Sequence, residues 1–296
     1  MEWIRSVQEA IAWLEEHLLD DVRFEDAARH VHMSGYEFHR AFSFLTGMTV
    51  AAYVRSRRLS LAARELMETD ARVTDLALKY GYETPESFTK AFTRFHGVAP
   101  RQAREASARL VLFNPLVIQL TVKGGKSMDY RIVRKPTQHF LALVRSFPNT
   151  IINDDDAHDI PDFWDECHRR GLVEPLRNLR PEGRRDLYGL CAPASAGEDS
   201  FDYGIGILLD DATATFDAAA MARLGYRPWT VDEGTYAVFD CMGADGDCIS
   251  DTWKKFYREF LPQMGYAAEA KPDFEIYFER SRPGLFCELW IPIRKL

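Results

Sequence analysis

Phe38-His39-Arg40-Ala41-Phe42 and, fifty positions later, Phe88-Thr89-Lys90-Ala91-Phe92 are two copies of one pattern. Outward from this core, Ala27 and Gly47 return in the same register as Ala77 and Gly97. Apolar, cationic and glycine positions that return together are not compositional bias. Phenylalanines four apart share one helix face, and a cation two places after the first lies off that face. Each copy therefore reads as a short helix, a tight turn and a second helix. The N-terminal part is predicted to be all-helical, a doubled helix-turn-helix.

Local signals mark the start of both second helices. Ser34-Gly35-Tyr36-Glu37 reads as a capping box, and Thr84 precedes Pro85, a residue suited to the first helical position. With the phenylalanines turned inward, the exposed first turns are expected to present Tyr36, His39 and Arg40 in copy one. Copy two would present Glu86, Ser87, Thr89 and Lys90. Such groups can reach phosphates and base edges.

The run Leu76-Ala77-Leu78-Lys79-Tyr80-Gly81-Tyr82, followed by Phe88, Phe92, Phe95, Gly97 and Pro100, resembles the signature of AraC/XylS-type transcription regulators. The resemblance covers about residues 1–106. It implies two helix-turn-helix units joined by a long helix over roughly 49–69, placing two recognition helices in successive major grooves of promoter DNA. It also implies activation by recruitment of RNA polymerase. Arg55, Arg57 and Arg58 lie on the connector.

Charge qualifies this reading. The chain of 296 residues has a net charge of −8, which argues against a generic nucleic-acid binder. Through residue 110 there are 15 Lys+Arg against 16 Asp+Glu, whereas residues 129–296 hold 20 against 29. DNA affinity must then come from cations gathered on one face, with Glu15, Glu16, Asp20 and Asp21 turned away, and should depend strongly on salt. The opening Met1-Glu2-Trp3-Ile4-Arg5 is no signal peptide, and Ile4, Val7, Ile11, Leu14 and Leu18 step by three and four as in an amphipathic helix. With no apolar run long enough to span a bilayer, a cytoplasmic protein without membrane attachment is expected.

Residues 107–127 connect the halves. Leu110 to Val122 is too apolar to lie in solvent, so it is expected to pack on a domain, and the joint is placed at 123–128. Residues 128–296 form the second domain. Trp164 and Trp253, Leu172 and Leu261, and Leu187-Tyr188 and Ile276-Tyr277 recur at an offset of 89. This predicts a duplicated βαββ arrangement in an α+β domain, with strands at 129–134, 139–147, 186–191, 202–209, 226–242, 273–279 and 286–293, and helices at 160–171 and 249–264.

Met128-Asp129-Tyr130-Arg131-Ile132-Val133, Phe163-Trp164 and Cys287-Glu288-Leu289-Trp290-Ile291-Pro292-Ile293, in that order, resemble the GyrI-like effector-binding domain. That resemblance implies a small-molecule pocket lined by aromatics, with a carboxylate from the last strand. Glu288 is the matching residue, and Trp164, Tyr188, Tyr203, Tyr277 and Trp290 are the expected walls. A carboxylate between aromatic walls suits a lipophilic cation. The competing reading is that these aromatics are ordinary core and that Glu288 pairs with a neighbouring Arg or Lys. Two other functions remain open: hydrolysis of an electrophile with Glu288 as base beside Tyr188 or Tyr277, and a protein-binding module. Asp154-Asp155-Asp156-Ala157-His158-Asp159 reads as a solvated loop, and no metal or cofactor is expected. Cys167, Cys191, Cys241, Cys248 and Cys287 lack zinc or Cys-x-x-Cys spacing and read as reduced thiols.

Overall fold

In the computed structural model, residues 2–21, 23–105, 109–118, 129–149, 159–180, 185–193, 200–210 and 214–296 are described. The joint expected at 123–128 and residues 154–158 of the acidic run lie outside them. The chain divides into two compact units, 2–121 and 122–296.

The first unit is helical: α1 (Glu2–Glu16), α2 (Phe24–His30), α3 (Gly35–Thr46), α4 (Val50–Glu68), α5 (Val73–Lys79) and α6 (Pro85–His96). Ile4, Val7, Ile11 and Leu14 of α1 are buried, as their spacing requires. Ser34 caps α3, its hydroxyl accepting from the Glu37 amide at 3.2 Å while Glu37 accepts from the Ser34 amide at 3.3 Å. Thr84 caps α6 through the Ser87 amide at 3.1 Å. The connector α4 serves both copies: Phe42 packs on Tyr53, and Leu59, Ala62, Ala63 and Leu66 share a core with Leu76, Phe88 and Phe92.

The internal repeat is not uniform. Helices α2 and α5 start 49 residues apart, whereas α3 and α6 start 50 apart. The amides of Met33 and Tyr82 close the preceding helices onto the carbonyls of Ala28 and Ala77. Ala77 therefore corresponds to Ala28 and not to Ala27, and the turn of copy two holds one extra residue before its cap.

In the second unit the elements run β1 (Arg131–Lys135), β2 (Gln138–Pro148), α7 (Asp159–Arg169), α8 (Glu174–Asn178), β3 (Leu187–Pro193) and β4 (Ser200–Leu209). There follow α9 (Ala218–Arg223), β5 (Tyr226–Val231), β6 (Gly234–Met242), α10 (Asp247–Lys255), a π-helical turn (Phe256–Phe260), α11 (Leu261–Met264), β7 (Tyr266–Ala268), β8 (Asp273–Tyr277) and β9 (Leu285–Lys295). One antiparallel sheet joins them in the order β1-β6-β9-β8-β3-β4-β2-β5, with β7 added beside β9. Once β1 to β4 are equated with β5, β6, β8 and β9, the order reads the same from either end, and each half lends its first strand to the other. The strand material expected over 226–242 forms two strands, β5 and β6, at opposite regions of the sheet, broken by the exposed pair Asp232-Glu233.

Duplication thus governs the architecture, but the offset of 89 does not superpose residues. Leu187 pairs across the strands with Tyr277, and Tyr188 with Ile276. Since direct partners share a face, Tyr188 and Tyr277 point to opposite sides; in this register the offset of 89 does not keep the faces of β3 and β8 in step. One face carries Phe140, Tyr188, Tyr236, Phe274 and Trp290. The other takes the helices: Phe147 meets Phe163 of α7 at 5.9 Å, and Phe239 meets Phe260 at 5.3 Å.

Candidate functional site

The two recognition helices begin alike and differ on their outer faces. In α6, Phe88 and Phe92 are fully buried, while Glu86, Ser87 and Lys90 are exposed and Thr89 is half-buried. Thr89 donates its hydroxyl to the Pro85 carbonyl at 2.7 Å and Ser87 to that of Thr84 at 2.8 Å, which orients their remaining lone pairs outward. Thr93 and Arg94 are exposed as well. Arg94 lies four residues after Lys90 and extends the same stripe, a spacing legible in the sequence but not read there.

In α3, Tyr36, His39 and Arg40 are 6, 1 and 7 % exposed, so the exposed first turn expected for this copy is not what the structure shows. Arg40 donates to the Tyr36 hydroxyl at 2.5 Å with its guanidinium 5.0 Å from that ring, and His39 meets Phe24 edge-on at 5.2 Å. To read DNA through α3, these side chains must become accessible. The connector arginines differ among themselves. Arg57 is buried and pairs with Glu15 at 2.8 Å, so Glu15 is turned inward. Arg58 donates to the carbonyls of Leu18 and Asp20 at 2.6 and 2.8 Å, which leaves Arg55 as the exposed cation of the three.

In the second unit the six expected effector residues fall on two faces. Glu288 and Trp290 alternate onto the face shared with Tyr188, while Tyr203, Tyr277 and Trp164 belong to the helix side. Glu288 accepts from Trp290 Nε1 at 3.0 Å and is paired with Arg131, and Lys135 stands 4.9 Å from the Trp290 ring. Glu288 thus has the neighbouring-arginine pair that the competing reading expected, and an incoming cation would have to displace Arg131. The division into two faces also separates Glu288 from Tyr277, so those two cannot act as an acid–base pair on one substrate.

A different carboxylate occupies the helix side. Glu275 of β8, 7 % exposed, accepts from the Tyr203 hydroxyl at 2.9 Å, and that oxygen accepts from Trp164 Nε1 at 2.9 Å. Indole can only donate, so the proton order runs from Trp164 to Tyr203 to Glu275. Burial, then the neighbouring Glu275, holds the Tyr203 hydroxyl well above the usual phenol range. The Tyr277 ring meets Trp164 edge-on at 4.9 Å. Gly189, directly opposite Glu275, makes the space: a Cβ there would stand 2.0 Å from Glu275 Oε2 and 2.2 Å from the Tyr203 hydroxyl. Only glycine fits. The available signal for Glu275 was an acid inside Asp273-Phe274-Glu275-Ile276-Tyr277, a strand otherwise apolar at its centre.

Among the described residues, no helix is long and apolar enough to cross a membrane, and no cluster of three or more His, Cys, Asp or Glu is arranged to hold a metal ion.

Comparison with known proteins places both halves. Residues 27–106 match the family model "Helix-turn-helix domain", and residues 131–293 match "Integron-associated effector binding protein". The chain is 24 % identical over its full length to the right origin-binding protein of Escherichia coli K12, covering all of that protein. It is 34 % identical over 94 residues, 32 % of this chain, to the transcriptional activator AarP of Providencia stuartii, covering 70 % of AarP. It is 40 % identical over 100 residues to the regulator YbfP of Bacillus subtilis, covering 34 % of each chain. An integron cassette protein from Vibrio cholerae aligns with 56 % of this chain and 95 % of its own, at 16 % identity and a TM-score of 0.40. A solved protein bound to tetraphenylphosphonium aligns with 56 % of this chain and 94 % of its own, at 20 % identity and a TM-score of 0.45.

Proposed function

Because the chain belongs to the AraC-type helix-turn-helix regulators and, through residues 131–293, to the integron-associated effector-binding family, we propose that it is a transcription activator whose DNA binding responds to a small molecule. Helix α6 reads promoter DNA through Glu86, Ser87, Thr89 and Lys90, extended by Arg94; α3 adds Tyr36, His39 and Arg40 once they are accessible. Activation then proceeds by contact with RNA polymerase beside the site. The effector site is centred on Glu275, with Trp164, Tyr203 and Tyr277 as its aromatic surround.

The observation that carries the ligand reading is the buried chain from Trp164 to Tyr203 to Glu275. A buried carboxylate in low dielectric attracts a desolvated cation strongly, and aromatic faces add cation–π attraction of about 0.5–2 kcal/mol. The ligand class is therefore a lipophilic cation. Tetraphenylphosphonium is a suitable probe, followed by the fluorescence of Trp164. Glu275→Gln should weaken its binding about tenfold or more while sparing a neutral analogue of the same shape, and Glu288→Gln should leave both unchanged. The reverse pattern would return the site to the face of Glu288. Turnover of an electrophilic ligand that disappears with Glu275→Gln would establish a hydrolase instead.

A further inference from the structure

Residues 109–118 have no regular secondary structure, yet their backbone is held by side chains of three helices. The Val111 amide donates to His96 Nδ1 of α6 at 3.2 Å, and the Phe113 amide to Ser60 Oγ of α4 at 2.9 Å. The Leu116 amide donates to the Tyr53 hydroxyl of α4 at 3.4 Å, and the Ile118 amide to Gln8 Oε1 of α1 at 2.8 Å. Arg57 donates to the Phe113 carbonyl from its pair with Glu15. Between these bonds, Leu110 packs on the core of copy two, and the Phe113 ring meets Tyr53 edge-on at 6.0 Å.

His96, Ser60 and Arg57 are among the buried polar side chains of this unit, and Tyr53 is fully buried. Buried polar groups require partners, and each of these four finds one in the segment. The remaining side chains are less committed: Leu112 and Val117 are 67 and 69 % exposed, and Pro115 interrupts the run. A segment with matched buried sites but little buried surface of its own can dock and undock without unfolding the helices beneath it.

We propose that residues 109–118 are a releasable clasp of the DNA-binding unit. Docked, the clasp ties α1 and α6 to α4 along its Tyr53–Ser60 stretch and fixes the connector on which the spacing of the two recognition helices depends; undocked, it frees them and lowers DNA affinity. The chain runs from this clasp directly into the 122–296 unit, so any pull at that junction acts on it covalently. The contacts to α1, α4 and α6 are each local, and their common dependence on one strand of chain makes them release together.

Amide hydrogen exchange on the full chain tests this, with and without the DNA fragment that the intact protein selects most strongly from a random pool. The amides of Val111, Phe113, Leu116 and Ile118 should exchange at least about tenfold more slowly than in an unstructured peptide, and more slowly again with DNA, because coupling is reciprocal. Ser60→Ala combined with Gln8→Ala removes two of the acceptors, and should speed exchange across 111–118 and weaken DNA binding severalfold while the helices melt as before. Ile118→Pro, which removes a single amide at the far end, gives a second reading if the double variant melts without cooperativity. Exchange at the unstructured rate in the parent protein, or no change in protection on adding DNA, would overturn the proposal. So would a variant with fast exchange and undiminished DNA affinity.

Discussion

Helices α3 and α6 have the same length, a capped first turn and the same pair of buried phenylalanines, yet nine of the twelve residues of α3 are buried against three of α6. The inner faces are equivalent because Phe38 and Phe42, like Phe88 and Phe92, each complete a local core with the preceding helix and with α4. The outer faces are not. Lys90 stands in solvent, whereas Arg40 is bonded to Tyr36 and stacked against its ring. A repeat of sequence therefore fixes what a helix packs against, and leaves open whether its polar side is available.

Equal inner faces imply equal costs. Phe42→Ala and Phe92→Ala should each destabilise the helical unit by about 3–5 kcal/mol in denaturant titrations, since both side chains are fully buried. A cost below about 1 kcal/mol for either one would show that its core can collapse without it and that the copies differ inside as well as outside.

Unequal outer faces imply a split in what the paired cations do. Lys90→Ala should weaken specific DNA binding by about 1–3 kcal/mol and leave the melting temperature unchanged. Arg40→Ala should lower the melting temperature, because it removes a buried hydrogen bond and the cation–π contact to Tyr36. If Arg40→Ala alters DNA binding alone, the buried arrangement of α3 is not the resting one.

The smallest expected effect lies in the turns. Copy one places His32 at φ 57°, and copy two places Gly81 at φ 80°. Left-handed backbone costs a non-glycine residue about 1–2 kcal/mol. His32→Gly should accordingly raise stability by roughly 1 kcal/mol. Gly81→Ala should lower it, since the added Cβ would stand 2.5 Å from the Arg58 guanidinium. Thermal melts of the two variants check the pair together, and a loss of stability in His32→Gly would show that the His32 side chain itself holds the turn.

The two carboxylates of the sheet repeat the lesson of the two helices. Glu288 was legible through the resemblance of its strand to the family's last strand, but alternation along that strand tells only that Glu288 and Trp290 share a face, not which face is the helix side. Pairing decides that: Ile276 lies opposite Glu288, and Leu289 opposite Glu275. Trp164 and Tyr203 were legible as aromatics, yet their convergence on Glu275 depends on α7, β4 and β8, which lie far apart in sequence. Likewise the sequence placed Arg57 and Arg58 on the connector but could not show that the fold brings Glu15 and the carbonyls of Leu18 and Asp20 within their reach.

By itself, the sequence determined whatever depends on neighbours within about one turn of helix or one strand: the caps at Ser34 and Thr84, the phenylalanine pairs, the period of α1, the doubling of both halves and the two families they resemble. Tertiary structure alone decided the crossed order of the sheet, the exposure of α6 against the burial of α3, the pairing of Arg57, and that Glu275, not Glu288, lies on the helix side. The reason is range: local signals act through backbone geometry that each residue carries with it, whereas burial and ion pairing depend on groups tens of residues away, whose approach is settled only when the chain closes its long loops.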